Sequence, residues 1–283
     1  MAGLLFGTGG VPLSSRQRST IHGIERIREL GLGCMEIEFV RGITMSMATA
    51  GDVRIAGNRA RVALSCHAPY FINFNAADEG KVRASEKRLI DAARVAGACG
   101  AKSIVFHAAF YMGKTPEATF DAVKTSLTRV MTALREENNP ITLRPEVMGK
   151  QSEFGTIQEI LQLCRELPGV LPCIDLAHWH ARTRAFNTFG EAMGVLKHVD
   201  QALGRAALDA MHFHFSGIDY GMKGEIKHLP LKESDFNYPE IMRGLVEYDV
   251  KGTVICESPN LEEDALLLQT AYNDLVKAKA AGK

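Results

Sequence analysis

Short apolar runs rich in β-branched residues recur along the whole chain. They fall at Leu4–Thr8, Met35–Phe39, Val62–His67, Ser103–His107, Ile141–Glu146, Val170–Asp175, Ala210–Phe215 and Thr253–Glu257. Each is brief and almost continuously apolar, the pattern of a strand buried on both faces. Between them the period changes. Apolar positions recur every three or four residues over Ser15–Leu30, Glu79–Cys99, Thr115–Glu137, Thr156–Leu167, Thr188–Leu203, Tyr238–Tyr248 and Leu261–Lys279. That spacing predicts amphipathic helices. Ile43–Ala60 keeps the period less strictly, but its alanines and methionines favour helix. Thr115-Pro116 reads as a helix N-cap followed by the first helical residue. Gly31, Gly33 and Gly100 follow predicted helix ends.

Strand and helix alternate eight times with no linker, low-complexity stretch or charge block. The predicted fold class is α/β, a single (β/α)8 TIM barrel spanning residues 1–283 as one domain. A doubly wound sheet would bring a glycine-rich phosphate turn after an early strand. The nearest match, Gly7-Thr8-Gly9-Gly10, lacks the third-glycine spacing and runs into Val-Pro rather than a helix.

Composition narrows the partners. The 283 residues carry 33 Lys and Arg against 33 Asp and Glu, with 46% hydrophobic residues. That excludes a disordered or strongly charged tail protein and argues against unselective coating of nucleic acid, while leaving room for a locally basic groove. Cys34, Cys66, Cys99, Cys164, Cys173 and Cys256 form no CxxC pair, and most lie in apolar runs. A reducing cytoplasm is the simplest setting. Neither a signal peptide nor a membrane-spanning run is expected.

The chemistry shows in a positional coincidence. Six consecutive predicted strands end in His67, His107, Glu146, Asp175, His214 and Glu257. A barrel opens all its strand C-termini onto one face, so these side chains converge. Carboxylates packed together in a low-dielectric mouth repel, and divalent cations would neutralise them. His178, three residues after Asp175, and His228, in the loop after the seventh strand, extend the set to five histidines and three carboxylates. Nitrogen and oxygen donors without thiolates suit zinc, manganese or iron. Eight donors suffice for two or three ions, and paired ions are the usual apparatus for attack at phosphorus. His212 points to the same side as His214 but deeper. Glu36 and Glu38 share a face of the second strand, where one could support a ligating imidazole. His180 fits the rim of the site or solvent, and His22 and His198 read as surface residues.

These motifs resemble the endonuclease IV family of apurinic/apyrimidinic endonucleases, within the xylose isomerase-like barrel superfamily. The resemblance is carried by SCHAPYFINF (65–74), IVFHAAF (104–110), RPEVMGKQSEFG (144–155), CIDLAHWHA (173–181), HFSGID (214–219), GEIKHLPL (224–231) and CESPN (256–260). It implies a trinuclear zinc site, with Mn2+ or Fe2+ as alternative occupants of some positions. His67 and His107 match ligands of the first zinc, and Glu146 the carboxylate bridging first and second. Asp175, His214 and Glu257 match the remaining ligands of the second, and His178 and His228 ligands of the third. The family's Asp-x-His in the last loop is broken here, because Ile226 stands at the Asp position. Glu225 beside it is a candidate replacement after a local register shift, and Asp219 a more distant one.

The resemblance also implies Tyr70 and Phe71 as a wedge entering DNA at the lesion, and Arg41 as a penetrating basic residue. A loop aromatic offers a face for a base, worth about 1–3 kcal/mol. Arg182 and Arg184 could meet phosphates or simply lie on the surface. The implied activity is cleavage of double-stranded DNA 5′ to an abasic site, with trimming of blocked 3′ ends at the same centre, by a cytoplasmic monomer with no membrane attachment. Glu146 is the residue expected to be indispensable to catalysis. Two alternatives stand beside this. One is a sugar isomerase or epimerase of the same superfamily, disfavoured by the surplus of histidines and the lack of a strand-end lysine. The other is a non-catalytic abasic-DNA binding protein.

Overall fold

The computed structural model describes residues 3–282. Among these, eight parallel strands occur in chain order: β1 (Leu4–Gly9), β2 (Cys34–Glu38), β3 (Ala63–His67), β4 (Ser103–Phe106), β5 (Thr142–Pro145), β6 (Ile174–Asp175), β7 (Met211–Phe215) and β8 (Gly252–Cys256). Their order across the sheet is β5-β4-β3-β2-β1-β8-β7-β6. Bridges Leu143–Val170 and Glu146–Cys173 join its two outer strands, so the sheet curls into the TIM barrel its pattern predicts. The parallel register places Glu38 beside His67 and Asp175 beside His214.

Ten helices among the described residues cover the outside: α1 (Thr20–Glu29), α2 (Met47–Ala60), α3 (Glu79–Ala98), α4 (Pro116–Glu136), α5 (Ile157–Glu166), α6 (Leu176–Thr183), α7 (Phe189–Leu203), α8 (Arg205–Leu208), α9 (Tyr238–Glu247) and α10 (Glu262–Ala280). Thr115 caps α4 with Pro116 at its start, as expected. Thr156 with Glu159, and Thr188 with Glu191, close reciprocal capping boxes. One cluster of buried apolar residues runs between sheet and helices, including Phe6, Ile24, Ile104, Phe106, Leu127, Phe213 and Leu268.

Several boundaries differ from the sequence pattern. The helices expected from Ser15 and Ile43 begin at Thr20 and Met47, because the Ser19 and Ser46 side chains cap them. The run Val170–Asp175 pairs continuously only at its last two residues. Pro172 interrupts it, having no N–H to give, and its carbonyl accepts from Arg144 Nη1 at 2.7 Å. Two antiparallel pairs have no counterpart in the predicted elements. Ala109–Phe110 pairs with Glu153–Phe154, and Gly217–Gly221 with Gly224–Leu229. Both extend from the strand C-termini and build walls around the mouth.

The barrel interior is not wholly apolar. Glu36 on β2 meets His212 and His214 on β7. Two strands separate these in the sheet, so the contact crosses the lumen. Arg144 on β5 is also buried, with its guanidinium on the carbonyls of Pro172 and Ala210, each at 2.7 Å. Burial pushes its pKa down to about 10. No helix among the described residues is long and apolar enough to cross a membrane. All six cysteines are buried free thiols.

Candidate metal centre

Glu146 follows β5 and stands at the centre of the mouth. Its Oε2 lies 3.2 Å from both His67 Nε2 and His107 Nε2. Its Oε1 lies 3.1 Å from His214 Nδ1 and 3.4 Å from His178 Nδ1. His214 Nδ1 is also 3.3 Å from Glu257 Oε2. The donor atoms fall into overlapping sets, each within 4.8 Å of one another. Three of them are His67, His107 and Glu146; Glu146, Asp175, His214 and Glu257; and Asp175, His178 and His228. Every strand-end residue singled out in the sequence reaches this one volume.

The far nitrogens of His67 and His214 face fixed partners. His67 Nδ1 donates to the Ala68 carbonyl at 2.8 Å, which aims Nε2 at Glu146; it donates to that carboxylate when protonated and offers a lone pair once the proton is lost. His214 Nε2 lies 2.8 Å from Glu36 Oε1, close but poorly aligned, leaving Nδ1 to face the mouth. Glu36 also accepts from Ser65 Oγ at 2.7 Å and meets His212 Nε2 at 3.0 Å. A carboxylate behind an imidazole is the usual support of a metal-ligating histidine. His212 therefore lies one layer below the site, as its spacing implied.

A β-bulge turns Glu225 towards the third set. Across the Gly217–Leu229 hairpin, Asp219 pairs with Lys227 but Tyr220 pairs with Glu225, so Ile226 is skipped. A skipped residue reverses the alternation of faces. Glu225 thus shares the His228 side, with Oε2 3.5 Å from His178 Nε2, while Ile226 is 61% exposed. Neither Asp219 nor Glu225 joins the donor sets found among the described residues, but Glu225 stands beside the third. The hairpin docks through Glu225 N–H to the Gly149 carbonyl and a bridge between Lys150 and Gly224. Gly224 has φ +95°, and a Cβ there would stand 2.1 Å from the Gly149 oxygen, so only glycine permits the contact.

The donor set fits cations. His178 Nδ1 donates to the Val147 carbonyl at 3.2 Å, and His228 Nδ1 to the Glu257 carbonyl at 3.3 Å. Carbonyls only accept, so Nδ1 carries a proton in each ring, and the two Nε2 atoms face each other at 3.1 Å, a contact in which one donates to the other. Asp175 Oδ1 caps α6 by accepting from His178 N–H, whereas Oδ2 is buried with no donor among the described residues. Burial works against a charged His67, yet the hydrogen bond and charge of Glu146 raise its pKa to about 9. Burial likewise opposes ionisation of Glu257, but the His214 imidazole draws it down to about 2. Glu38 behaves differently, since burial and the nearby Glu36 and Glu257 push it up to about 8. Its Oε1 is buried without a partner among the described residues.

The remaining sequence candidates separate. Tyr70 stacks on His107, with ring centroids 5.1 Å apart, and is half exposed. Phe71 is 67% exposed on the loop after β3, and Arg41 is exposed on the loop after β2. Arg182 is half-buried rather than on open surface. Its Nη1 is bonded to the carbonyls of Met148, Lys150 and Glu153. Arg184 is exposed against Met222. His180 is neither at the rim nor in solvent. It is buried against Tyr220 and Phe236, with Nε2 3.1 Å from Asp235.

A cavity of about 480 Å³ opens above the donors, lined also by Tyr70, Phe110, Met148, Lys150, Glu153 and Glu225. No described barrel strand ends in lysine, as expected, yet a lysine does line the cavity. Lys150 reaches it from a loop four residues past Glu146, beyond where strand-end reasoning looks.

Comparison with known proteins places the chain. Residues 24–273 match the xylose isomerase-like TIM barrel family, and the chain belongs to it. An uncharacterised protein of Methanocaldococcus jannaschii is 43% identical over 96% of this chain and 98% of its own length. A probable endonuclease 4 of Mycoplasma pneumoniae is 24% identical over 72% of this chain and 70% of its own. Among solved structures, a D-tagatose 3-epimerase-like protein has a TM-score of 0.73 at 18% identity, covering 96% of this chain and 99% of that one. Endonuclease IV from Thermus thermophilus has a TM-score of 0.72 at 19% identity, covering 95% and 99%. These two agree on the fold and divide on the chemistry.

Proposed function

We propose that this protein is a metal-dependent phosphodiesterase of the endonuclease IV type, acting on duplex DNA at abasic sites and blocked 3′ ends. One observation carries the reading. Glu146 belongs to two donor sets at once, and Asp175 to two, so the donors are laid out for adjacent cations. A one-ion centre would need only Glu146, Asp175, His214 and Glu257, leaving His67, His107 and His228 without a role. In this reading His67, His107 and Glu146 hold the first zinc, Glu146, Asp175, His214 and Glu257 the second, and His178 and His228, with the shared Asp175 and the neighbouring Glu225, the third.

When bound, such ions supply Lewis acidity at phosphorus and bring the pKa of water towards 7. The chain does the rest. The backbone-anchored imidazoles keep their lone pairs fixed, so no reorganisation is needed as charge develops. Tyr70 and Phe71 present aromatic faces beside the mouth, where an abasic gap leaves a base without its neighbour. Arg41, exposed on the loop after β2, is the basic residue of the proposed DNA contact. The monomeric state expected from the sequence remains part of this proposal.

The test is incision of a duplex carrying one abasic analogue, with and without chelator, alongside elemental analysis of bound metal. Incision 5′ to the lesion that disappears with chelator and in Glu146→Gln, while that variant stays folded, supports the reading. Wild-type rates in Glu146→Gln would refute it.

A second reading keeps the sugar epimerases in play. Glu38 is a buried carboxyl beside Glu257 that holds its proton to about pH 8, and hydrolysis gives it no role. Epimerisation needs such a proton carrier. Conversion of a ketose by the metal-loaded protein, with the abasic duplex left intact, would select that reading. Tight binding of the duplex with no product would select a non-catalytic binder.

A further inference from the structure

The loop that follows Glu146 is fastened with unusual thoroughness. Arg182 Nη1 grips three of its carbonyls, at 3.2 Å to Met148, 2.7 Å to Lys150 and 2.9 Å to Glu153. Gln151 N–H donates to the Lys223 carbonyl, Tyr111 N–H to that of Ser152, and Met148 N–H to that of Gly155. The loop is therefore a rigid shelf between α6 and the bulged hairpin.

One long side chain leaves this shelf for the mouth. Among the described residues, Lys150 is the only lysine or arginine lining the cavity. Its Nζ is 3.7 Å from Glu153 and 3.9 Å from Glu225, beyond hydrogen-bonding range of both. The ammonium thus keeps its donors available while two carboxylates hold it over the site. Fixing the backbone of a flexible lysine lowers the entropy lost when it meets a ligand.

We propose that Lys150 is a substrate-contact residue that binds a non-bridging oxygen of the substrate phosphate and so selects anionic substrates at this centre. The inference rests on the phosphodiesterase reading and specifies how that site recognises its substrate. The donor cluster presents carboxylates and neutral imidazoles, and among the described residues no other fixed cation of the chain lies along the cavity wall to meet a phosphate. Lysine acts there as a point charge.

The test uses the full chain loaded with zinc and a duplex bearing a single abasic analogue. Lys150→Met should raise KM about 10- to 100-fold, the range of one charge-assisted hydrogen bond. The slope of log affinity against log salt should shrink by about one. Bound metal and thermal stability should not change, and Lys150→Arg should recover most of the loss. Wild-type KM and salt slope in Lys150→Met would overturn the assignment while leaving the phosphodiesterase standing. A fall in bound metal in Lys150→Met would overturn it too, because the lysine would then act through Glu225. Failure of the wild-type protein to bind or cut the duplex would sink both this inference and the reading beneath it.

Discussion

Glu36 offers the sharpest check on the buried network. It is fully buried, with Oε2 on Ser65 and His212 and Oε1 2.8 Å from His214 Nε2. Burial alone would raise its pKa, yet the His214 and His212 imidazoles hold it well below the usual carboxylate range. Replacing Glu36 by Gln keeps the volume and removes the charge. The amide oxygen satisfies only one side, and the amide nitrogen turns a donor towards another donor. Loss of a carboxylate behind a metal-ligating histidine typically costs 10- to 100-fold in metal affinity, about 1.4–2.8 kcal/mol. The weakened hydrogen bonds should lower folding stability by roughly 1–3 kcal/mol. Titration of metal against a competing chelator reads the first effect, and chemical denaturation the second. Ser65→Ala removes one bond from the same carboxylate without touching His214, so it should move metal affinity much less. A folded Glu36→Gln protein with metal affinity within about twofold of wild type would refute the supporting role.

Other outcomes follow from the same geometry. Gly224→Ala should prevent the hairpin from docking, because its Cβ meets the Gly149 oxygen; on the proposed three-ion reading, elemental analysis should then count one ion fewer than in the wild type. Arg182→Ala frees three carbonyls and should speed hydrogen exchange over residues 148–153, with a loss of roughly 1–3 kcal/mol in stability. The metal-free protein should lose stability as pH rises. His67 is raised from 6.5 to about 9 and Glu38 from 4.5 to about 8, so the folded state holds extra protons that it sheds through that interval. Melting temperature should therefore fall between about pH 6.5 and 9 and flatten once zinc replaces the protons; a melting temperature that rises over this range would contradict the assignment.

The barrel and most of its site were legible because both rest on local pattern. A strand buried on both faces must be apolar almost throughout, so His67, His107, Glu146, Asp175, His214 and Glu257 stand out at the ends of such runs. Barrel topology then forces those ends together, and the donor sets assemble as the spacing implied. What the linear order withheld depends on contacts between segments distant along the chain. The bulge that skips Ile226 and turns Glu225 inward arises from hairpin pairing and from the Gly149–Gly224 approach, neither of which has a local signature. Arg182 reads as a surface arginine until the shelf at residues 148–153 folds over it. Lys150 carries no signal of its own in the sequence, and only the clamped shelf sets it above the donors. Glu36 reads as one of two similar carboxylates on a strand, and only the closed barrel brings His212 and His214 across the lumen to meet it. Periodicity and strand-end chemistry follow from burial, which each segment records in its own residues. Register, clamping and contacts across the lumen follow from where other segments lie, and only the tertiary structure decided those.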